Sequence, residues 1–139
     1  MSITQTVCTS FKVQLLSGIH DFSSNTIKLA LFQSTADLGA STTVYSSTGE
    51  SSGTGYTAGG ANLTVIDPVS TGTTAIVDFS DLTFSTVSLT ARGALIYNST
   101  KGNKAICVLD FGSDRIRSAA NLVVTFPSAD AVNAIIRIA

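Results

Sequence analysis

Few residues in this chain are equipped for catalysis or metal binding. His20 is the only histidine, Glu50 the only glutamate, and Cys8 and Cys107 the only thiols. A Ser-His-Asp or Cys-His nucleophile would have to be built on His20, since an unperturbed imidazole is the side chain that gives and takes protons near neutral pH. His20-Asp21 stands in a polar turn and no G-x-S-x-G elbow occurs, so a surface or capping histidine is expected. The cysteines have neither C-x-x-C spacing nor paired histidines, so no metal site is expected. Cys107 lies in an apolar run, where a reduced thiol packs as a small hydrophobe. A Cys8–Cys107 disulfide is the alternative.

Asp78 and Asp81 are the closest pair of acids. They flank Phe79 at a strand end and read as edge or turn polar residues rather than as calcium ligands. Glycoside cleavage needs two carboxylates across a cleft, which one Glu and no Trp make a poor expectation. Gly53-Thr-Gly55-Tyr-Thr-Ala-Gly59-Gly60 does not match G-x-G-x-x-G, and no helix follows it to present an N-terminus to a phosphate. It is expected to be an arm or turn. No catalytic residue and no cofactor are expected.

The elements that position these residues centre on Thr90 to Gly112. Two apolar runs, Ala94–Tyr97 and Ala105–Leu109, flank the turn formers Asn98 to Asn103, which is a hairpin pattern. Both runs are apolar at consecutive positions, so they are expected to be covered on both faces as the central pair of an antiparallel sheet. Before them, Thr9 to Gly18 reads as a short helix with a hydroxyl cap and a glycine stop, its Phe11, Leu15 and Ile19 lining one face. Thr26 to Phe32 alternates as a half-buried strand. From Gln33 to Gly60 the chain is a long Ser/Thr/Gly-rich loop in which Thr42 to Ser46 is the best candidate for a short strand.

Gly60 to Ile66 reads as a strand stopped at Asp67-Pro68, followed by Thr74 to Phe79. Asp81 to Leu89 is next, with its alternation broken at Ser85-Thr86, and Arg92-Gly93 is a bulge candidate. Ser113 to Ser118 is expected as a polar connection to a strand from Asn121 to Phe126, and the last strand spans Asn133 to Ala139. The sum is a mainly β protein: an antiparallel sandwich or barrel of about 8–9 strands with one short N-terminal helix. Residues 1–139 form a single β domain, with residues 1–8 as an N-terminal arm and 33–60 as the long loop.

Bulk composition narrows the partners. Charged residues are only 12 % of the chain and its net charge is −1, while Ser and Thr exceed a quarter. A hydroxyl surface with little charge repels its neighbours weakly, which suits a protein that packs against others. The scattered Lys and Arg leave no footprint for nucleic acid. No apolar run approaches membrane-spanning length, and the N-terminus lacks the basic and apolar regions of a signal peptide. Synthesis and retention in a cytoplasm are expected.

Several stretches together, CTSFKVQLLSGIHDF, TIKLALF, LGASTTVY, GTGYTAGGANL, TARGALIYN, AICVLDFG and FPSADAVNAIIRIA, resemble a family of small virion structural proteins of tailed bacteriophages, notably phages of cyanobacteria and other aquatic bacteria. The resemblance spans nearly the whole chain and brings no catalytic residues with it. It implies a many-copy virion component, specifically a capsid decoration or cement protein that binds the outer head shell. Its implied partners are the major capsid protein and copies of itself, and its implied location is the virion. Within that picture the 33–60 loop and the N-terminal arm are the expected contact segments, with Val44, Tyr45 and Tyr56 as candidate partner contacts. The alternatives are a tail, neck or baseplate adaptor, or a receptor- or carbohydrate-binding module using Tyr45, Tyr56 and Tyr97.

Overall fold

The computed structural model describes residues 2–130, 132 and 134–138. The fold is mainly β, with eight strands in two antiparallel sheets and a single α-helix among these residues. The first sheet contains β1 (Thr6–Val7), β2 (Ile27–Phe32), β3 (Ala61–Asn62), β6 (Leu82–Asn98) and β7 (Lys104–Val124), in the order β1-β7-β6-β2-β3. The second contains β4 (Val65–Thr71), β5 (Thr74–Phe79) and β8 (Ile136–Ile138), in the order β4-β5-β8. The arrangement is sandwich-like.

The β6–β7 hairpin is the spine. Its turn is a short 3₁₀ segment, Ser99–Lys101, closed by Gly102 and Asn103 in left-handed conformations. Ala94 to Tyr97 and Ala105 to Val108 are all buried, as consecutive apolar residues in a central pair require. Across the β2–β6 ladder Lys28, Ala30 and Phe32 pair with Tyr97, Leu95 and Gly93, so these share one side of the sheet. Ile27, Leu29 and Leu31 pair with Asn98, Ile96 and Ala94 on the other.

The expected half-buried β2 is corrected here, because Ala30 and Phe32 are buried as well. The long loop supplies the second cover: Tyr45 packs on Phe32 and lies flat on Tyr97. That loop carries no strand of its own. It is stitched down by isolated bridges at Leu38, Val44, Glu50 and Thr54, so the short strand expected at Thr42 to Ser46 shrinks to one bridge from Val44 to Lys104. The N-terminal residues lie against the body, through β1 on β7 and a bridge from Ile3 to Leu38.

Helix α1 (Thr9–Leu16) buries Phe11 and ends in paired bonds from the Gly18 amide to Leu15 and from Ile19 to Gln14, the Schellman pattern. Its N-cap is Cys8, which makes no side-chain cap bond, so the expected hydroxyl cap is absent. From β5 of the second sheet Phe79 packs in a row of rings, on Phe126 just after β7 and on Phe22 before β2, which in turn meets Phe11 of the helix.

Several strands differ from expectation, and the one expected from Gly60 to Ile66 divides into β3 in the first sheet and β4 in the second. Strand β4 runs through Asp67-Pro68 with a register shift between Ile66 and Val69. It is an edge strand, where a missing proline N–H costs no ladder bond. The segment Ser113 to Ser118 belongs to β7 and is paired with β6. Its side chains face water on both sides, so polarity there marks exposure rather than a break. In β8, Ile136 is buried but Ile138 is half exposed. The ends of that expected strand, at Asn133 and Ala139, lie outside the described residues. The anticipated irregularities at Ser85-Thr86 and Arg92-Gly93 are both register shifts in the β6–β7 ladder, with Thr86 at φ 50°.

Candidate functional site

The densest polar constellation gathers the only glutamate and all three tyrosines. Glu50 Oε1 accepts from the Tyr45 hydroxyl at 2.5 Å. Its Oε2 accepts from the Tyr56 hydroxyl at 2.6 Å and from the Gly59 amide at 2.8 Å. Tyr56 in turn accepts from the Leu31 amide at 2.9 Å, and the Tyr97 hydroxyl donates to the Gly59 carbonyl at 2.5 Å. The Tyr45 and Tyr97 rings stack with centroids 4.7 Å apart.

Burial, followed by the bond to Glu50, pushes the Tyr45 and Tyr56 phenols above their ordinary value; burial does the same to Tyr97. A phenol held protonated against a carboxylate is a strong donor in a fixed place. Chemically the cluster is a clasp. It ties the middle and the end of the long loop to β2 and β6, and its hydroxyls are engaged.

The sequence-predicted contact residues therefore divide. Val44 is 48 % exposed and its side chain is available to a neighbour. Tyr45 and Tyr56 are half-buried, each with its hydroxyl turned inward to Glu50. For a sugar platform the aromatic faces must be open, yet Tyr45 spends one face on Tyr97, and Tyr56 packs on Phe84 with centroids 5.6 Å apart. Glu50 was not singled out from the sequence as a hub. Its partners lie at irregular spacings within a loop, where no periodicity points one side chain at another.

His20, expected at the surface or as a cap, is buried. Its Nδ1 faces the Asn98 amide nitrogen at 3.0 Å and its Nε2 faces Gln14 Oε1 at 2.9 Å. The Asn98 NH₂ can only donate, so Nδ1 accepts and Nε2 carries the proton. Burial, with Lys104 and Lys101 nearby, holds its pKa below the ordinary imidazole value, in keeping with that neutral form. Asn98 also donates to Asn25 and accepts from the Thr100 amide. The imidazole thus braces the helix-to-strand turn against the hairpin.

Both thiols are free and buried, so no disulfide joins them. Burial pushes Cys8 to about 11 and raises Cys107 as well, which leaves neither a thiolate at neutral pH. Asp78 is buried: Oδ1 accepts from the Phe79 amide, and Oδ2 has no hydrogen-bond partner among the described residues. Burial raises its pKa, with the Phe79 and Ile135 amides pulling the other way. Asp81 is spent on the Phe126 amide at 2.8 Å. No group of three potential metal ligands occurs among the described residues.

Comparison with protein-family models, curated proteins and solved structures returns no match.

Proposed function

We propose that this chain is a non-enzymatic structural component of a tailed-bacteriophage virion: a decoration or cement protein seated on the outer head shell, contacting the major capsid protein and copies of itself. One observation carries the reading beyond the resemblance of its sequence stretches. The polar groups best suited to chemistry are turned inward and used as braces, Glu50 with the tyrosines and His20 with Asn98 and Gln14. What faces outward is largely hydroxyl, with single apolar side chains such as Leu16, Val44, Val69 and Val132 set among it. Such an exterior suits burial against a repetitive shell, where weak charge imposes little repulsion between adjacent copies.

The physical role follows from linkage. A protein that binds only the assembled shell stabilises it by mass action, and one that spans neighbouring subunits adds buried area that must be given up before they separate. Buried, reduced thiols and a chain without disulfides fit synthesis in a bacterial cytoplasm.

Immunogold electron microscopy of purified virions, with antibody raised against this chain, tests the proposal. Dense label over the head is the expected result. Label confined to the tail, neck or baseplate would replace the decoration role by an adaptor role, and unlabelled particles would overturn the virion reading altogether.

A further inference from the structure

Among the described residues, the distal half of β7 is a sheet edge without a neighbouring strand. From Leu109 to Val124 the strand is hydrogen-bonded to β6 alone among the described strands, because β1 reaches only Cys107 and Val108. Beyond β1 the Gln5 side chain takes one further amide, that of Asp110, at 3.1 Å. Alongside this edge runs a groove of ≈ 680 Å³, lined also by Phe126, Pro127, Ala134 and Ile135.

Its charge is one-sided. Arg115, Arg117 and Arg137 line it against a single carboxylate, Asp110, which Arg92 already holds at 3.4 Å. None of the three lining arginines forms an ion pair among the described residues. They lie back on backbone carbonyls instead: Arg115 on Phe111, Arg117 on Asn121 and Ile116, and Arg137 on Val132. The edge is thus blunted by its own cations, a common way of keeping an open strand from self-pairing.

We propose that this edge docks an extended, acidic segment of another protein by strand addition. The register sets the motif. Ala91 to Leu89 pairs with Arg115 to Arg117 without a shift, so this part of the ladder is regular. Arg115 and Arg117 then share one face about 6.6 Å apart, while Ile116, 67 % exposed, points to the opposite face. The complementary strand places carboxylates at two alternate positions and an apolar side chain between them. Those carboxylates draw the guanidinium groups off the edge carbonyls, which the incoming backbone amides then occupy. The outcome is a longer sheet with an ion pair at each arginine.

The proposal does not depend on a virion setting, so either reading can fail alone. The probe is a short capped peptide alternating aspartate with valine, titrated into the full chain by calorimetry and followed by amide hydrogen exchange. The expected result is binding that slows exchange between residues 111 and 121, with the lysine-for-aspartate peptide inert. The double variant Arg115→Glu/Arg117→Glu, its fold checked by circular dichroism, should bind about tenfold more weakly or worse. Exchange in the unaltered chain settles the question if that variant does not fold. Absence of binding, equal binding of both peptides, or protection away from this strand overturns the proposal. So does self-association that protects the same amides without peptide, because the occupant is then a second copy.

Discussion

Glu50 accepts from two phenols and one backbone amide, all brought to it by the folding of the long loop. Removing its carboxylate strands two phenols and the Gly59 amide, and unpaired buried donors cost more than the bonds themselves contribute. Glu50→Ala should lower unfolding free energy by about 2–4 kcal/mol, read as a fall in the urea midpoint with an unchanged slope. Tyr45→Phe, which gives up one bond, should cost about 1 kcal/mol. The phenols also predict an alkaline limit. Their folded pKa values lie above the unfolded value of 10.0. Their stabilisation is therefore fully present below that pH and drains away as pH rises from there toward the folded values. Ultraviolet titration should show tyrosinate appearing together with unfolding, and Tyr56→Phe should weaken the pH dependence. Tyrosinate forming near pH 10 in a chain that keeps its fold would contradict the clasp. None of this was visible in the chain order, since Tyr45, Glu50, Tyr56 and Tyr97 meet only after the loop has closed over the sheet.

Among the elements, the long loop depends on a close approach at its end. Gly60 sits at φ +80°, and a Cβ there would lie 1.8 Å from the Leu29 carbonyl oxygen. Neither the backbone conformation nor the space admits a side chain, so Gly60→Ala should cost about 3 kcal/mol or more. Thermal unfolding of that variant measures it; a loss below about 1 kcal/mol would mean that the loop closes some other way. Sequence patterns anticipated the elements unevenly. The hairpin, helix α1 and the irregularities at Ser85-Thr86 and Arg92-Gly93 were legible, because each changes the spacing of apolar residues. The continuation of β7 through Ser113 to Ser118 was not. Hydrophobic alternation reports burial, and a strand wet on both faces keeps its hydrogen bonds without leaving that signal.

At the scale of the molecule, Phe79 joins β5 of the second sheet to segments flanking the first: its ring centroid lies 6.4 Å from that of Phe22, in the turn before β2, and 5.6 Å from that of Phe126, just after β7. Phe79→Ala should remove about 3–5 kcal/mol. Because the same ring row also contacts helix α1 through Phe11, unfolding should remain one transition by both circular dichroism and tyrosine fluorescence. Separate transitions would show that the smaller sheet stands apart from the larger one. The exterior belongs to this scale too. It is weakly charged overall, yet it concentrates three arginines beside one open strand edge.

By itself the sequence determined the class of this protein: mainly β, with a short helix, a buried Cys107 and a central hairpin. Those features rest on composition and on local periodicity, which act over a few residues and can be read in chain order. The tertiary structure decided the rest. It set which faces of β2 are buried, turned Tyr45 and Tyr56 inward, hid His20 among amides and left the distal edge of β7 open. Each of these depends on contacts between segments far apart in the chain, and no local pattern encodes which distant surface will arrive to cover a side chain.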